Sequence, residues 1–172
     1  TGTADTAPDN VILIGYRAGR LFTSGSGNVV IGDNAFYSAG ARQYNTVMGS
    51  GAMYDATTAS SNVAIGYQSL ANLTTGDSNV AIGYQAADAL TTGFKNVAIG
   101  PAALSSDDVG AGHIAIGGNA LVTQNFASEN NEFEANISIG NKSSHNNTTG
   151  NMNVVIGTAA KYTDDTGNQT TA

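Results

Sequence analysis

The stretch Asn62-Val63-Ala64-Ile65-Gly66-Tyr67-Gln68-Ser69 is followed seventeen residues later by Asn79-Val80-Ala81-Ile82-Gly83-Tyr84-Gln85-Ala86. Variants of this phrase occur nine times, and we call the glycine that closes the apolar part the marker glycine. The nine marker glycines are Gly15, Gly32, Gly49, Gly66, Gly83, Gly100, Gly117, Gly140 and Gly157. Their spacing is 17 residues at every step except one of 23. A fixed period of this length is typical of a solenoid, in which each repeat forms one coil.

The residues before each marker glycine predict a short strand in every coil. The first residue before it is always large and apolar, and the third is always β-branched, so both point to the same side of a strand. Between them stands a column of mostly small residues, which includes Ala64, Ala81, Ala98 and Ala115. Because both sides are apolar, the pattern predicts a parallel sheet buried on both sides. We expect the large columns to fill the coil and the alanine column to form an interface with other copies of the chain.

Polar and glycine positions predict the corners of the coil. The fourth residue before the marker glycine is asparagine in seven repeats, and stacked coils would align these side chains in a hydrogen-bonded ladder. The seven are Asn28, Asn45, Asn62, Asn79, Asn96, Asn136 and Asn153, and His113 replaces asparagine in one coil. Glycine also recurs ten residues after the marker, as at Gly76, Gly93 and Gly110, which predicts a turn with positive φ.

The composition favours an extracellular or virion structural protein over an enzyme. Charged residues are 11% of the 172 residues, and there is no cysteine to form disulfides. The net charge of -7 argues against a nucleic-acid partner, and no apolar run is long enough to insert into a membrane. No residue pattern indicates a cofactor. The start at Thr1, without methionine, suggests a processed product or a piece of a longer chain.

The two phrases quoted above resemble the head repeats of trimeric autotransporter adhesins and the similar repeats of bacteriophage tail fibres. The resemblance extends from about Asn10 to Ala160. It implies an all-β, left-handed parallel β-roll (β-solenoid) that associates side by side as a homotrimer and holds an attachment surface away from a cell or virion. The coils are about three residues longer than the bacterial head repeat. This length and the Tyr-Gln after the marker glycine favour the phage type.

The repeats define one solenoid domain over residues 1–172. We expect nine coils over 11–160, flanked by an N-terminal segment 1–10 and a C-terminal segment 161–172. The flanking segments carry no charged plug that would cover the ends of the sheet, so we expect the domain to belong to a longer fibre or to stack end to end.

The extra residues of the long interval lie in 123–135 and form a candidate recognition loop. Its candidate contact residues are Phe126, Glu129, Glu132, Phe133 and Glu134. Insertions in solenoids often carry recognition, although a surface insertion packed back on the roll also fits the residues. The glutamates lack the spacing of a known cation loop, so no metal site is predicted.

The remaining titratable residues do not suggest catalysis. His113 is expected to take part in the ladder, and His145 lies in a loop without a phased acid or serine. The pairs Asp107-Asp108 and Asp164-Asp165 are expected to be solvated turn residues.

The sequence therefore predicts a non-enzymatic, extracellular adhesin that binds a host polysaccharide or protein through many weak contacts. Tyr16, Tyr67 and Tyr84, with Gln68 and Gln85, are exposed corner residues that would stack or contribute to such contacts. A self-assembling filament or capsid fibre without a receptor is the alternative. An ice-binding solenoid is a third hypothesis, but only Thr74-Thr75 and Thr91-Thr92 repeat in consecutive coils.

Overall fold

A computed structural model of the chain describes residues 10–38, 40–124 and 135–161. These residues form short strands joined by turns, and they contain no helix. The strands are β1 (Ile12–Ile14), β2 (Phe22–Ser24), β3 (Val29–Ile31), β4 (Gly40–Ala41), β5 (Thr46–Met48), β6 (Val63–Ile65), β7 (Val80–Ile82), β8 (Val97–Ile99), β9 (Ile114–Ile116), β10 (Ile137–Ile139) and β11 (Val154–Ile156).

Nine of these strands form one parallel sheet in the order β1-β3-β5-β6-β7-β8-β9-β10-β11. Each strand pairs with its equivalent in the next coil, so Val63 lies opposite Val80 and Ala64 opposite Ala81. The register holds across the long interval, where Ile114 lies opposite Ile137. A second, two-stranded parallel sheet joins β2 and β4. The predicted parallel β-solenoid with coils of about 17 residues is therefore confirmed, with eight turns between the nine strands of the described residues.

The prediction of which side of the strand faces inward is wrong. Ala64, Ala81, Ala98 and Ala115 are fully buried within their own chain and belong to its hydrophobic core. They line the inside of the coil and cannot also form an interface with another copy. The large residues on either side of them point outward, as in β7, where Val80 and Ile82 are only half-buried. A coil of 17 residues is narrow, so its strand wall admits mainly small side chains.

The large residues of the core come from the corner after the marker glycine. Four residues after that glycine stand Phe36, Met53, Leu70, Leu104 and Leu121, all fully buried. They pack inside the roll with Leu73 and Leu90 from the next part of the coil. The same core also contains Ala35, Ala52, Ala86, Ala103 and Ala120. Close packing of large against small side chains fills the interior without wide spaces.

Of the glycines ten residues after the marker, Gly25 has the predicted positive φ, at 124°, whereas Gly76 and Gly93 serve a different purpose. Gly76 and Gly93 do not adopt positive φ. A Cβ atom on Gly76 would lie 2.0 Å from the carbonyl oxygen of Gly93, and one on Gly93 would lie 2.3 Å from that of Gly110. Glycine is required there because neighbouring coils approach too closely for a side chain.

Candidate functional site

The outer side of the nine-stranded sheet carries two parallel columns of side chains, all apolar except Thr46, which we call the apolar face. Most of these residues are half-buried, whereas Met48 is 40% exposed and the end residues Ile14 and Ile156 are 57% and 60% exposed. The face consists of Ile12, Val29, Thr46, Val63, Val80, Val97, Ile114, Ile137 and Val154 in one column and Ile14, Ile31, Met48, Ile65, Ile82, Ile99, Ile116, Ile139 and Ile156 in the other. With strands about 4.8 Å apart, the face is about 38 Å long. Contiguous apolar surfaces of this size on soluble proteins commonly mark interaction sites.

The apolar face is bordered by the corner that follows the marker glycine. Tyr16, Tyr67 and Tyr84 lie there and are 66%, 47% and 55% exposed. The rings of Tyr67 and Tyr84 stack with their centroids 5.4 Å apart. Gln85 donates a hydrogen bond from Nε2 to Oε1 of Gln68 at 3.2 Å. These side chains support one another along the roll and present aromatic and amide groups beside the apolar surface.

At the opposite end of each strand the asparagine side chains form the predicted ladder. Asn79 is representative: its backbone N–H and its Nδ2 both donate to Oδ1 of Asn62, at 2.8 and 3.1 Å. The same Nδ2 also donates to the carbonyl of Gly93 at 2.9 Å. The amides are buried, so each hydrogen bond forms away from water. An amide without a partner there would lower the stability of the fold. The ladder therefore ties the corner of each coil to the next.

His113 continues the ladder with different chemistry. Its backbone N–H donates to Oδ1 of Asn96, and its Nδ1 accepts the N–H of Asn136 at 2.9 Å, as an asparagine oxygen does elsewhere. The neutral ring therefore carries its proton on Nε2. That nitrogen lies 3.4 Å from Oδ2 of Asp107. Asn136 in turn directs Nδ2 to Oε1 of Gln124 at 3.1 Å, so Gln124 replaces the missing asparagine oxygen.

Asp107 is fully buried, which corrects the expectation that it is a solvated turn residue. Its Oδ1 accepts the N–H of Gly110 at 2.8 Å. Burial, with a smaller contribution from the charge of Asp108, raises the pKa of Asp107 to about 6 against the lowering effect of the backbone N–H groups. Burial also lowers the pKa of His113 to about 4. At neutral pH the pair is thus a carboxylate facing a neutral imidazole.

The polar cluster extends to Asn147, whose Nδ2 donates to Oε1 of Gln124 at 2.8 Å. Asp107, Gln124 and Asn147 occupy the position that Leu73 and Leu90 fill in earlier coils. The core of the roll therefore changes from apolar to polar along its length. The sequence reasoning missed this change, although aligning the seventh residue after each marker glycine would have found it. The cluster is closed to solvent, so it has no route for a substrate and serves to hold the corners together.

Arg42 is a second buried polar residue that the sequence reasoning missed. Its guanidinium carbon lies 4.3 Å from the ring centroid of Phe36, and Nη1 donates to the carbonyl of Phe36 at 3.4 Å. Burial lowers the pKa of Arg42 to about 10, so the group remains charged at neutral pH. Among the described residues no carboxylate forms an ion pair with it. The aromatic ring and carbonyl oxygens stabilise the charge instead.

The candidate recognition residues Phe126, Glu129, Glu132, Phe133 and Glu134 lie outside the described residues, as do Asp164 and Asp165. His145 is half-buried, with Nδ1 3.2 Å from the carbonyl oxygen of Asn119. Within the described ranges no group of three or more acidic, histidine or cysteine residues is arranged to hold a metal ion.

In the part of the chain that the structure describes, no helix has the length and apolar character needed to span a bilayer. Comparison of the chain with protein-family models, with curated proteins and with solved structures gives no significant match.

Proposed function

We propose that this chain is a segment of a homotrimeric, non-enzymatic fibre that attaches an extracellular structure to a host surface. The observation that carries the proposal is the apolar face, which points away from the core of its own coil and keeps Ile14, Met48 and Ile156 at least 40% exposed. The trimer contact in this proposal consists of valine and isoleucine columns in place of the alanine column. The resemblance of the repeat to adhesin heads and tail fibres supports three copies, a left-handed winding and a site on a virion or bacterial surface.

The geometry of the face suits association with copies of the same chain. Its residues recur in every coil, so one contact pattern repeats along the whole roll and a copy in the same register meets it at each step. β-Branched side chains on a pleated sheet interdigitate well across an interface. Tyrosine and glutamine at the border are typical of the rim of a protein contact, where one part of the side chain is apolar and the tip meets water.

A rigid trimer would serve attachment through avidity. Three identical outer surfaces on one axis let weak contacts with a repetitive target add up, because the second and third contacts occur at high effective concentration. The rigid backbone supports this, since corner amides bond from coil to coil, as where Leu70 N donates to the carbonyl of Ala86 at 3.0 Å.

The proposal is tested by measuring attachment of the labelled 172-residue chain to intact bacterial and animal cells. Wild type is compared with Ile82→Asp, which places a charge on the apolar face, and with Ser106→Asp, which places the same charge at an exposed corner. We expect wild type and Ser106→Asp to bind at least one cell type and Ile82→Asp to lose binding together with the trimer. Cell binding by a monomeric Ile82→Asp chain would contradict the avidity mechanism.

A receptor-free filament is the second candidate, because within the described residues the terminal strands β1 and β11 each pair on one side only. Free strand edges can add further chain. Polymers whose length grows with protein concentration, without binding to any cell, would favour the filament over the adhesin.

A further inference from the structure

A groove of about 400 Å³ lies on the corner that precedes the strands, between two neighbouring coils. It is lined by Thr75, Asp77 and Ser78 of one coil and by Thr92, Phe94 and Lys95 of the next. All of these side chains are exposed except that of Phe94, which is half-buried. The volume is at the small end of the range of roughly 300–1,000 Å³ that is usual for small-ligand sites.

Phe94 is a departure from the repeat that coil stacking does not require. At the same position the other described coils carry Ser26, Gln43, Ser60, Asp77, Ala111 and Asn151. The fold therefore accepts small or polar residues there, and an aromatic ring adds apolar surface at a solvent-facing corner. A partly exposed aromatic side chain that the scaffold does not need is a candidate contact for a ligand.

The Asp77 carboxylate and the backbone of the groove are held in place by the roll. Oδ1 of Asp77 accepts the backbone N–H of Ser60 at 2.6 Å, which orients the carboxylate toward the corner. The N–H of Lys95 donates to the carbonyl of Asp77 at 3.0 Å, and that of Ser78 donates to the carbonyl of Ser60 at 3.1 Å. The hydroxyl of Thr74 donates a hydrogen bond to the carbonyl oxygen of Thr91 at 2.9 Å, whereas its neighbour Thr75 is exposed. The groove is therefore largely formed before a ligand binds, which lowers the entropic cost of binding.

The combination of groups points to one class of ligand. The face of an aromatic ring is electron-rich and attracts the C–H groups on the flat side of a sugar ring. Nζ of Lys95 lies 5.6 Å from the centroid of the Phe94 ring, and because Lys95 is exposed, its side chain can move aside for a sugar. A carboxylate and several hydroxyl groups around it can accept and donate hydrogen bonds to sugar hydroxyls. Asp77 and Lys95 carry opposite charges, so the groove has no net charge and offers no preference for an anionic sugar.

The geometry points to this groove as a binding site for an uncharged pyranose ring, with Phe94 as the stacking platform and Asp77 as the hydrogen-bond acceptor. The inference deepens the proposed function, on which it rests, by naming the chemistry that the fibre recognises. A surface polysaccharide and the glycan of a glycoprotein both present such a ring.

The test is binding of the 172-residue chain to an array of neutral hexose, N-acetylhexosamine and deoxyhexose oligosaccharides, with uronic-acid oligosaccharides as the charged comparison. We expect binding to at least one neutral oligosaccharide, and about tenfold weaker binding after Phe94→Ser or Asp77→Asn. Serine is native at the equivalent position of two other coils, so Phe94→Ser is expected to fold. Tyr44→Ser is the matched control, because Tyr44 is 65% exposed and does not line the groove.

Absence of binding to every neutral oligosaccharide overturns the inference, and so does binding that Tyr44→Ser weakens as much as Phe94→Ser. In the cell assay, attachment that survives Phe94→Ser excludes the groove but leaves the adhesin proposal standing. Oligosaccharide binding without cell attachment leaves the groove standing and excludes the adhesin. Where both hold, protease treatment of the cells separates a glycoprotein source from a polysaccharide.

Discussion

Each marker glycine except the last, Gly157, is fixed by the backbone of the next coil. Gly83 has a φ of 142°, a conformation that side-chain-bearing residues rarely adopt, and a Cβ there would lie 2.5 Å from the carbonyl oxygen of Gly100. The same contact recurs at the marker glycines before Gly157, as at Gly66, where the distance to the carbonyl oxygen of Gly83 is 2.3 Å. The glycine thus sets how closely the coils can stack.

Gly83→Ala is therefore expected to prevent folding or to lower the free energy of unfolding by more than about 4 kcal/mol, which is exceptional for one methyl group. Gly51→Ala is the matched control, because Gly51 also has positive φ, yet its Cβ would meet only Gln68 Cγ at 3.4 Å. The control should lose about 1 kcal/mol. Urea unfolding followed by circular dichroism gives both values, and equal losses would contradict the role assigned to the marker.

The asparagine ladder also acts residue by residue. Asn79→Ala removes the acceptor for the N–H and the Nδ2 of Asn96, at 3.0 and 3.2 Å, and leaves the carbonyl of Gly93 without its amide donor. We expect a loss of about 3 kcal/mol in unfolding free energy, because these groups are buried. Asn72→Ala should cost less than about 1 kcal/mol, since Asn72 is exposed and donates one bond, to the carbonyl of Asp88. A similar loss in the two variants would show that the ladder does not stabilise the roll.

At the scale of a single coil, the buried pair of Asp107 and His113 predicts opposite pH dependences for two variants. In Asp107→Leu only His113 remains, with a folded pKa of about 4, below its ordinary 6.5. The unfolded chain then binds the proton first, so stability falls as the pH drops from about 6.5 to about 4. In His113→Asn only Asp107 remains, with a folded pKa of about 6, above its ordinary 3.8. The folded chain then binds the proton first, so stability rises as the pH drops from about 6 to about 3.8.

In each variant, the free energy of unfolding can change by at most about 1.4 kcal/mol per pH unit. Both variants are measured by urea unfolding at one chain concentration, relative to Asp107→Leu/His113→Asn. That double variant carries the leucine and asparagine native to the two preceding coils, and it should be at least as stable as wild type, because replacing a buried polar pair by apolar packing is often neutral or stabilising. Slopes of the same sign in the two single variants would contradict the assigned ionisation of the pair.

At the scale of a strand, neighbouring residues should respond to the same substitution in different ways. Ala81 is fully buried inside the coil, so Ala81→Asp buries an unpaired charge and should abolish folding. Ile82 points outward, so Ile82→Asp should keep the β spectrum in circular dichroism while the chain becomes monomeric. If Ala81→Asp folds and Ile82→Asp does not, the assignment of the inner and outer sides of the sheet is wrong.

Over the whole molecule, the features that the sequence could predict are those that repeat. The period, the strand before each marker glycine, the parallel register and the asparagine ladder all follow from seventeen-residue spacing. The inward side of the strand could not be assigned in the same way. The residues on both sides are apolar, so the sequence does not show which side faces the interior of the coil. Leu70 and Leu104, in the corner after the marker glycine, supply large residues of the core. With the interior filled, the isoleucines must lie outside.

Features that depart from the repeat were the hardest to predict. Asp107 and His113 each stood out in the sequence. Their contact depends on how the chain turns between the two residues, which the spacing of the repeats does not reveal. The groove at Phe94 arises in the same way, from one coil whose corner residue differs from its neighbours.

The mass of the folded chain in solution is the most direct test of whether the apolar face holds three chains together. Each chain has a mass of 17.3 kDa. Sedimentation equilibrium at micromolar chain concentration is predicted to give three times that mass for wild type, with a β-rich circular dichroism spectrum. A stable, folded particle of one chain mass would leave the isoleucine and valine columns in water and would contradict the account.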